Sequence, residues 1–255
     1  MPFQVSPGIV VTEQDLTTVV PNVATTIGAM AGAFQWGPVL ERTQISTEND
    51  LVNTFGKPDA ATAKHFWTGA NFLAYANNLI VTRVVGAAAR NAVRGDADAG
   101  TAILVKNEDH YDTLTYTDQL FVAKYPGALG NSLKVTAIDA NGWADSTVNA
   151  AFIANFDRAP GTSTDVANAG GSSDEMHVLV QDEDGLWTGQ PGYVLEKHAF
   201  VSKASDAKKI DGSSNYVVNV LMNESRYAYV GSVTQFTTNT TGSEKAAGNP
   251  KAGGA

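Results

Sequence analysis

The chain has 255 residues, no cysteine, and 17 basic against 26 acidic side chains, for a formal net charge of −9. Its length fits one large or two small domains, and the lack of thiols excludes a disulfide framework, a thiolate nucleophile and a cysteine zinc site. The acidic balance argues against a nucleic-acid partner and against binding to an anionic membrane, because both need clustered lysine and arginine. The most apolar stretch, residues 24–34, is too short for a membrane helix, which argues against membrane insertion.

The first predicted element is an extended N-terminal arm over residues 1–22. After the turn signal Ser6-Pro7-Gly8, residues 9–13 alternate with period two, which predicts a strand. Both faces of this strand are partly apolar, and an uncovered strand of that kind is an aggregation hazard. We therefore expect it to pair, either with a sheet edge of another copy or with a sheet of its own chain.

The pattern of residues 23–86 predicts an incomplete α/β segment. A small-residue strand over residues 24–34 precedes Thr47-x-x-Asp50, which resembles a capping box and starts a helix that ends before Gly56. A second helix is predicted over residues 62–77 and a buried strand over residues 79–85. The order strand, helix, helix, strand indicates an α/β unit that is too small to close its own sheet.

Short apolar runs alternate with turn residues over residues 87–236, and this pattern predicts a β-rich outer domain. The candidate strands are residues 119–124, 133–138, 176–181 and 216–222. The composition of residues 159–173 predicts an exposed loop. Residues 237–255 lack large apolar side chains, which predicts a flexible tail or linker. The predicted fold class is mixed α+β, with the extended arm, the incomplete α/β segment and the β-rich outer domain in that order.

Residue patterns for catalysis or cofactor binding are not found in this sequence. There is no Gly-x-Ser-x-Gly elbow, phosphate loop or dinucleotide fingerprint. Asp182-x-Asp184-Gly185 lacks the other acids of a calcium loop and predicts a hairpin turn. The histidines show no metal-ligand spacing, and we interpret them as packing or surface residues: His65, His110, His177 and His198. We therefore predict no catalytic residue, no cofactor, no metal and no enzyme.

Several motifs follow one another along the chain. They are the arm Ser6-Pro7-Gly8-Ile9-Val10-Val11-x-Glu13, then Gly32-Ala33-Phe34-Gln35-Trp36-Gly37-Pro38, Asp50-Leu51-Val52-Asn53-Thr54-Phe55-Gly56-x-Pro58, Asn71-Phe72-Leu73, Val81-x-Arg83-Val84, Tyr125-Pro126-Gly127-x-Leu129-Gly130-Asn131 and Val194-Leu195-Glu196 before Ser202. In this order, from residue 6 to residue 202, they resemble the N-terminal region of contractile-tail bacteriophage tail sheath proteins, closest to the T-even-like group.

The resemblance implies a structural virion protein that stacks as rings of six around an inner tube and contracts to drive the tube through the host envelope. Its implied partners are other copies of itself, the tail tube protein, and the baseplate and tail terminator proteins. The implied location is the virion tail, assembled in the bacterial host cytoplasm. Sheath proteins are considerably longer, so we expect this chain to lack the later part that completes the α/β domain and faces the tube.

In this family, terminal arms donate strands to the sheets of neighbouring subunits. The resemblance therefore favours pairing of the arm with another copy over pairing within the chain. The inter-subunit arm residues implied are Ser6, Pro7, Gly8, Ile9, Val10, Val11, Thr12, Glu13 and Leu16.

Three alternative functions remain open at this point. The chain could be a sheath subunit of a bacterial contractile injection device. It could be a β-rich carbohydrate-binding or adhesin module, with Trp143 and Trp187 stacking on sugars, although packing in the core is the better interpretation of both rings. A hydrolase using Asp109, His110 and Asp112 has the least support, because no nucleophile or orienting partner is marked.

Overall fold

The computed structural model describes residues 26–94, 100–144, 146–232 and 251–252. Helices and three small sheets make up this part of the chain, which confirms the predicted mixed α+β class. The predicted arm, residues 1–22, and most of the predicted tail lie outside the described residues. Within the described residues, no helix combines the length and apolar character needed to cross a membrane.

The first sheet lies in the predicted α/β segment. Its order is β1 (Gly28–Gly32), β3 (Leu79–Arg83) and β2 (Arg42–Ile45), with β1 parallel and β2 antiparallel to β3. Two helices connect β2 to β3, namely α1 (Glu48–Phe55) and α2 (Ala63–Leu73). All four predicted elements of this segment therefore form, and β2 is an additional strand.

The helices cover one face of this sheet. Leu51 and Phe55 of α1 and Phe66 of α2 are buried in one apolar cluster with strand residues Ile45 and Val81. These side chains recur at helical spacing on the helices and at alternate positions on the strands, so each element contributes one apolar face. This packing supplies the segment with its own small core.

The N-terminus of α1 carries the predicted capping box. The Thr47 hydroxyl accepts a hydrogen bond from the Asp50 amide at 3.1 Å, and the Asp50 carboxylate accepts one from the Thr47 amide at 3.0 Å. At the other end Gly56 adopts a positive φ of 81°, as its position after the last apolar residue predicts.

The other two sheets are antiparallel. The second contains β4 (Ala92–Arg94), β5 (Phe121–Ala123), β9 (Ala228–Val230) and β10 (Lys251–Ala252), in the order β10-β4-β5-β9. The third contains β6 (Leu133–Asp139), β7 (Glu175–Asp182) and β8 (Tyr193–Ser202), in that order. The helices of this part are α3 (Glu108–Thr113), a 3-10 helix (Ala128–Ser132), α4 (Ala140–Ala144), α5 (Ser146–Ile153), α6 (Thr164–Asn168) and α7 (Val217–Glu224).

The strand predicted over residues 216–222 is wrong, because these residues belong mainly to α7. Val217, Val220 and Leu221 are buried at spacings of three and four residues, which is the period of a helix. The run is rich in β-branched residues, and a short apolar run of this kind does not distinguish a buried strand from a buried helix by composition.

The loop predicted over residues 159–173 contains the short helix α6. Ser163 precedes it, and its hydroxyl accepts a hydrogen bond from the Val166 amide. The same hydroxyl donates to the buried carboxylate of Asp174, which anchors the start of this helix to the chain before β7. A Ser-rich segment therefore provides a helix cap rather than a continuous loop.

The predicted hairpin turn after Asp182 is a longer connection, residues 183–192, between β7 and β8. The buried Asp182 carboxylate accepts hydrogen bonds from the Ser132 hydroxyl at 2.6 Å and from the amides of Trp187 and Thr188 at 3.0 and 2.8 Å. Burial raises the pKa of Asp182, but these hydrogen bonds outweigh it and the net shift is downward. Asp182 thus organises a loop, and among the described residues it belongs to no cluster that could hold a metal ion.

We expect the capping box to contribute measurably to stability. Replacing Thr47 by alanine removes the acceptor for the Asp50 amide and should lower the free energy of unfolding by about 1 kcal/mol. The measurement is urea unfolding followed by circular dichroism. Thr115→Ala, at an exposed position outside any helix, is the matched control, and equal losses for the two variants would contradict a capping role.

Candidate functional site

The buried guanidinium of Arg83 joins the α/β segment to the part of the chain that follows residue 86. Arg83 ends β3 and is 2% exposed. Its Nε donates to the carbonyl of Phe34 at 2.9 Å, and its Nη1 donates to the carbonyl of Gly37 at 2.8 Å. Its Nη2 donates to the carbonyls of Gln35 at 3.1 Å and Pro126 at 2.6 Å. One side chain therefore connects β3, the β1–β2 connection and the loop before the 3-10 helix.

The positive charge of Arg83 strengthens its hydrogen bonds, but a buried guanidinium without acceptors would destabilise the fold. Burial lowers the pKa of Arg83 to about 10, which still leaves the guanidinium charged at neutral pH. A charged group taken out of water is costly unless it is hydrogen-bonded, and donors on a cation form stronger hydrogen bonds than neutral donors do. The planar fork of arginine can reach four carbonyls from different segments, which a lysine ammonium cannot do with the same geometry.

Gly127 allows the backbone to approach this junction closely. Its φ is +138°, and a Cβ atom at this position would lie 2.8 Å from the Gln35 carbonyl oxygen and 3.3 Å from Nη2 of Arg83. Any side chain here would displace the Arg83 fork or the Gln35 carbonyl. The Pro126-Gly127 pair is thus required by the junction and not only by a turn.

An aromatic cluster forms a second contact between the α/β segment and the part of the chain that follows residue 86. Trp36, 3% exposed, meets Tyr125 and Trp187 edge to face, with ring centroids 5.4 and 4.8 Å away. Trp187 in turn meets the ring of Tyr227 edge to face. Burial raises the pKa of Tyr125 to about 12, so its hydroxyl stays neutral. Such pairs add about 0.5–1.5 kcal/mol each beyond their buried area.

The two tryptophans considered as a sugar-binding pair pack in different places. Trp143 lies beside the buried ring of His177, whereas Trp187 lies in the aromatic cluster at the junction. Each ring packs against a different apolar core, which confirms the packing interpretation. The surroundings of His177 confirm that it is a packing residue. Its Nε2 lies 2.9 Å from the Arg158 carbonyl oxygen, and burial lowers the pKa of its imidazole.

The histidine of the hydrolase alternative has a local structural role. His110 lies in α3, where its backbone amide donates to the cap residue Asn107. The Nδ1 atom of His110 accepts a hydrogen bond from the Lys106 amide at 3.3 Å. Asp109 and Asp112 are on the same short helix, and neither orients the imidazole in the described hydrogen bonds.

One face of the β1–β3–β2 sheet is not covered by the described residues. The face opposite the helices carries Ala29, Ala31, Ile80, Thr82, Arg42 and Gln44, which are register partners across the three strands. Ile27 and Val84 continue this face by strand alternation and are 61% and 40% exposed. We call these eight residues the open sheet face. An uncovered face of a sheet that contains parallel strands is typical of a packing surface.

Comparison with known proteins locates relatives of this chain. Residues 25–84 match the family model described as "Tail sheath protein Gp18 domain III N-terminal region". The tail sheath protein of Salmonella phage ViI is 34% identical over 194 residues, which cover 75% of this chain and 28% of that protein. The tail sheath protein of Enterobacteria phage T4 is 36% identical over 137 residues, which cover 54% of this chain and 20% of that protein.

This chain is related to the T4-like contractile tail sheath proteins. The predicted resemblance is thereby confirmed, and the match with the tail sheath protein of Vibrio phage KVP40, 36% identical over 142 residues, agrees with it. The chain spans between 20 and 28% of the length of these three sheath proteins. The three motifs that meet at Arg83 all belong to the set on which the resemblance was based.

Two solved structures of sheath tail proteins also match. The protein from Listeria innocua has a TM-score of 0.39 and 15% identity, covering 90% of this chain and 34% of that one. The protein from Desulfitobacterium hafniense has a TM-score of 0.38 and 13% identity, covering 97% of this chain and 40% of that one. Because both TM-scores are below 0.5, the relationship to sheath proteins rests on the sequence relatives.

The predicted inter-subunit residues, from Ser6 to Leu16, lie outside the described residues, and their role stays a prediction. The Arg83 junction and the open sheet face were missed by the sequence analysis. A signal for the junction was present, because Arg83 is a charged residue inside the otherwise apolar run that forms β3. That signal marks an unusual residue but does not name its partners.

Replacing Arg83 by methionine should destabilise the protein strongly. The change keeps an unbranched apolar stem but leaves buried carbonyl oxygens without donors, which costs about 1–3 kcal/mol each. We expect a loss of at least about 3 kcal/mol in the free energy of unfolding, measured in urea. Arg90→Met is the control, because the Arg90 guanidinium donates, within the described part of the chain, to the nearby Ala87 and Ala89 carbonyls. A similar loss in both variants would refute the junction.

Gly127→Ala tests the close approach separately from the charge. Gly189 also has a positive φ, of 86°, but a Cβ atom there would meet nothing within 4 Å. Both alanine variants carry the strain of a positive φ, and Gly127→Ala adds to it the close contact with Gln35 and Arg83. We expect Gly127→Ala to be less stable than Gly189→Ala by about 1–3 kcal/mol in thermal or urea unfolding, as for other overpacked sites. Equal stability would show that the junction tolerates a side chain.

Proposed function

We propose that this chain is the N-terminal part of a structural, non-catalytic subunit of a contractile phage tail sheath. The observation that carries the proposal is the relationship to tail sheath proteins, which extends over 75% of the chain in one relative. In the described part, His110 and His177 form local hydrogen bonds, and the Asp182 carboxylate organises a loop.

In this proposal the subunit polymerises as stacked rings of six around the tail tube and contracts to drive the tube through the host envelope. Its partners are other copies of itself, the tube protein, and the baseplate and terminator proteins. Its location is the virion tail, after assembly in the host cytoplasm. These features come from the family resemblance, and the relationship to phage proteins favours a phage over a bacterial injection device.

The N-terminal arm connects neighbouring subunits in this proposal. A strand donated to a neighbour's sheet edge forms main-chain hydrogen bonds, and such bonds tolerate a changing angle between subunits. About six of these hydrogen bonds, at about 0.5–1.5 kcal/mol each, contribute about 3–9 kcal/mol before the cost of ordering the arm. Repeated over many subunits, this connection keeps a lattice together while it rearranges.

The open sheet face supports the proposal that this chain is part of a longer subunit. Sheets with parallel strand pairs are usually covered on both faces, and α1 and α2 cover only one face here. The matched regions make up only 28 and 20% of two sheath relatives, so most of each relative lies beyond the match. We propose that a later part of the sheath subunit packs on the open sheet face and completes the α/β layers.

Deletion of residues 1–22 tests the arm. We expect the truncated chain to lose the self-association of the full chain, because the donated strand is removed. Sedimentation velocity over a range of protein concentrations is the measurement. A chain lacking residues 237–255 is the control of similar length, and it should associate as the full chain does.

Two outcomes count against the proposed role of the arm. One is unchanged self-association after deletion of residues 1–22. The other is a full chain that stays monomeric at every concentration while it binds glycans in an array assay, which would favour the carbohydrate-binding alternative.

A further inference from the structure

Two helix C-termini line one cavity between the α/β segment and the part of the chain that follows residue 86. The cavity has a volume of about 480 Å³, and its walls include Asn53 near the end of α1 and Asn223 near the end of α7. The last carbonyls of a helix lack donors within the helix and carry partial negative charge, so cations stabilise such an end. Neither helix has a basic residue in its last turn. The cations therefore have to come from elsewhere in the chain.

Each of the two helix ends binds a cation from outside its helix. Nη2 of Arg226 donates to the Asn53 carbonyl oxygen of α1 at 3.0 Å. Nζ of Lys124 donates to the Met222 and Ser225 carbonyl oxygens at the end of α7, at 3.1 and 2.9 Å. Of these two cations, Arg226 is the one that connects the α/β segment to the part after residue 86. Its hydrogen bond is exposed to water, so it contributes less than the buried hydrogen bonds of Arg83 do.

Glu196 on β8 fixes the backbone that carries Arg226. Its Oε1 accepts a hydrogen bond from the Arg226 amide at 2.8 Å, and its Oε2 accepts one from the Ser225 hydroxyl at 2.7 Å. The Ser225 hydroxyl oxygen in turn accepts hydrogen bonds from two backbone amides of the following turn. Nε2 of His198 lies 3.3 Å from the same Oε2. An ionised carboxylate only accepts and can serve all of these donors at once, whereas a protonated carboxyl or an amide carries hydrogen on one side.

The charge state of Glu196 is set by this network. Burial raises the pKa of Glu196, but the hydrogen bonds from His198, Arg226 and Ser225 outweigh it, and the net shift is downward. A carboxylate with a lowered pKa stabilises the fold at neutral pH, and this contribution is lost as the pH falls through the folded-state pKa. Within the described ranges, the charged or titratable groups around Glu196 are His198 on the same strand, Arg226 and Tyr227 after α7, Glu224 at the end of α7, Lys209 paired with Glu224, and Lys124 after β5.

We propose that Glu196, Ser225, Arg226 and the Asn53 carbonyl form a latch that ties the end of α1 to the turn after α7, and that protonation of Glu196 releases it. The acceptors of the Arg83 hydrogen bonds are backbone carbonyls, which do not titrate, so the Arg83 junction persists in acid. Release of the latch therefore widens the cavity while the junction still connects the two parts. The latch acts within a single chain, so its test does not depend on the proposed sheath function.

The distance across the cavity reports whether the latch is closed. Because the chain has no cysteine, Lys57→Cys and Asn223→Cys place two spin labels at exposed cavity positions, one in the α/β segment and one on α7. Pulsed electron spin resonance measures the distance between the labels. For this labelled parent we expect a narrow distance distribution at about pH 7 and a longer, broader one at about pH 3, where Glu196 becomes protonated. Circular dichroism at both pH values verifies that the chain stays folded.

Two variants open the latch without acid. Glu196→Gln in the labelled parent should give the longer, broader distribution already at about pH 7, and acid should change it little further. Deuterium exchange of the Arg226 amide should also become about tenfold faster, because a neutral acceptor replaces a charged one. Arg226→Met removes only the contact with Asn53. It should give the same long distances at neutral pH without faster exchange of the amide at position 226, because the Glu196 acceptor remains.

Glu183→Gln is the matched control, because the Glu183 carboxylate forms an ion pair with Lys134 at 3.4 Å away from the latch. It should keep the distances of the labelled parent and their response to acid. Parent-like distances at neutral pH in both E196Q and R226M would overturn the latch, and so would equal broadening in E183Q. A labelled parent whose distances do not change in acid would overturn its release by protonation.

Discussion

The described fold depends on one buried cation that is held by backbone oxygens from two separated segments. Arg83 fixes the chain around Gly37 and the chain around Pro126 relative to β3, and no apolar residue could replace those hydrogen bonds. This constraint explains the neighbouring requirements. Gly127 must lack a side chain because the Gln35 carbonyl is so close, and the Trp36 ring is directed to Tyr125 by the same loop. Sequence motifs that are distant along the chain are thus parts of one structural unit.

The α/β segment has a core on one side only. Its helices bury Leu51, Phe55 and Phe66 against the sheet, which explains why this small unit folds around two short helices. The opposite side exposes Ile27 and Val84 at its two ends, and a sheet that contains parallel strands is usually covered on both faces. The segment therefore has the properties of one layer of a larger assembly, in agreement with the greater length of its sheath relatives.

Local signals predicted the elements of this segment, and long-range contacts were not predictable. The Thr47 capping box and the apolar run that forms β3 act within a few residues, so the sequence displays them directly. By contrast, Arg83 binds carbonyls 43 to 49 residues away, and a carbonyl has no side-chain signature. Helix α7 was predicted as a strand because its β-branched residues outweighed the helical spacing of Val217, Val220 and Leu221. The candidate arm residues were identified by resemblance and alternation, and they lie outside the described residues.

The two kinds of contact at the junction differ in how they respond to force between subunits. Hydrogen bonds from Arg83 are directional and weaken steeply when their angles change, whereas the burial of the apolar Trp36 and Trp187 rings is non-directional. Helix α2 packs on β3 through the shared apolar core, and β3 ends at Arg83. Since the acceptors of these bonds lie on both parts of the chain, the two parts resist relative rotation at this point. In the polymer proposed above, we therefore expect rearrangement between copies, where contacts can exchange, rather than at the junction within each copy.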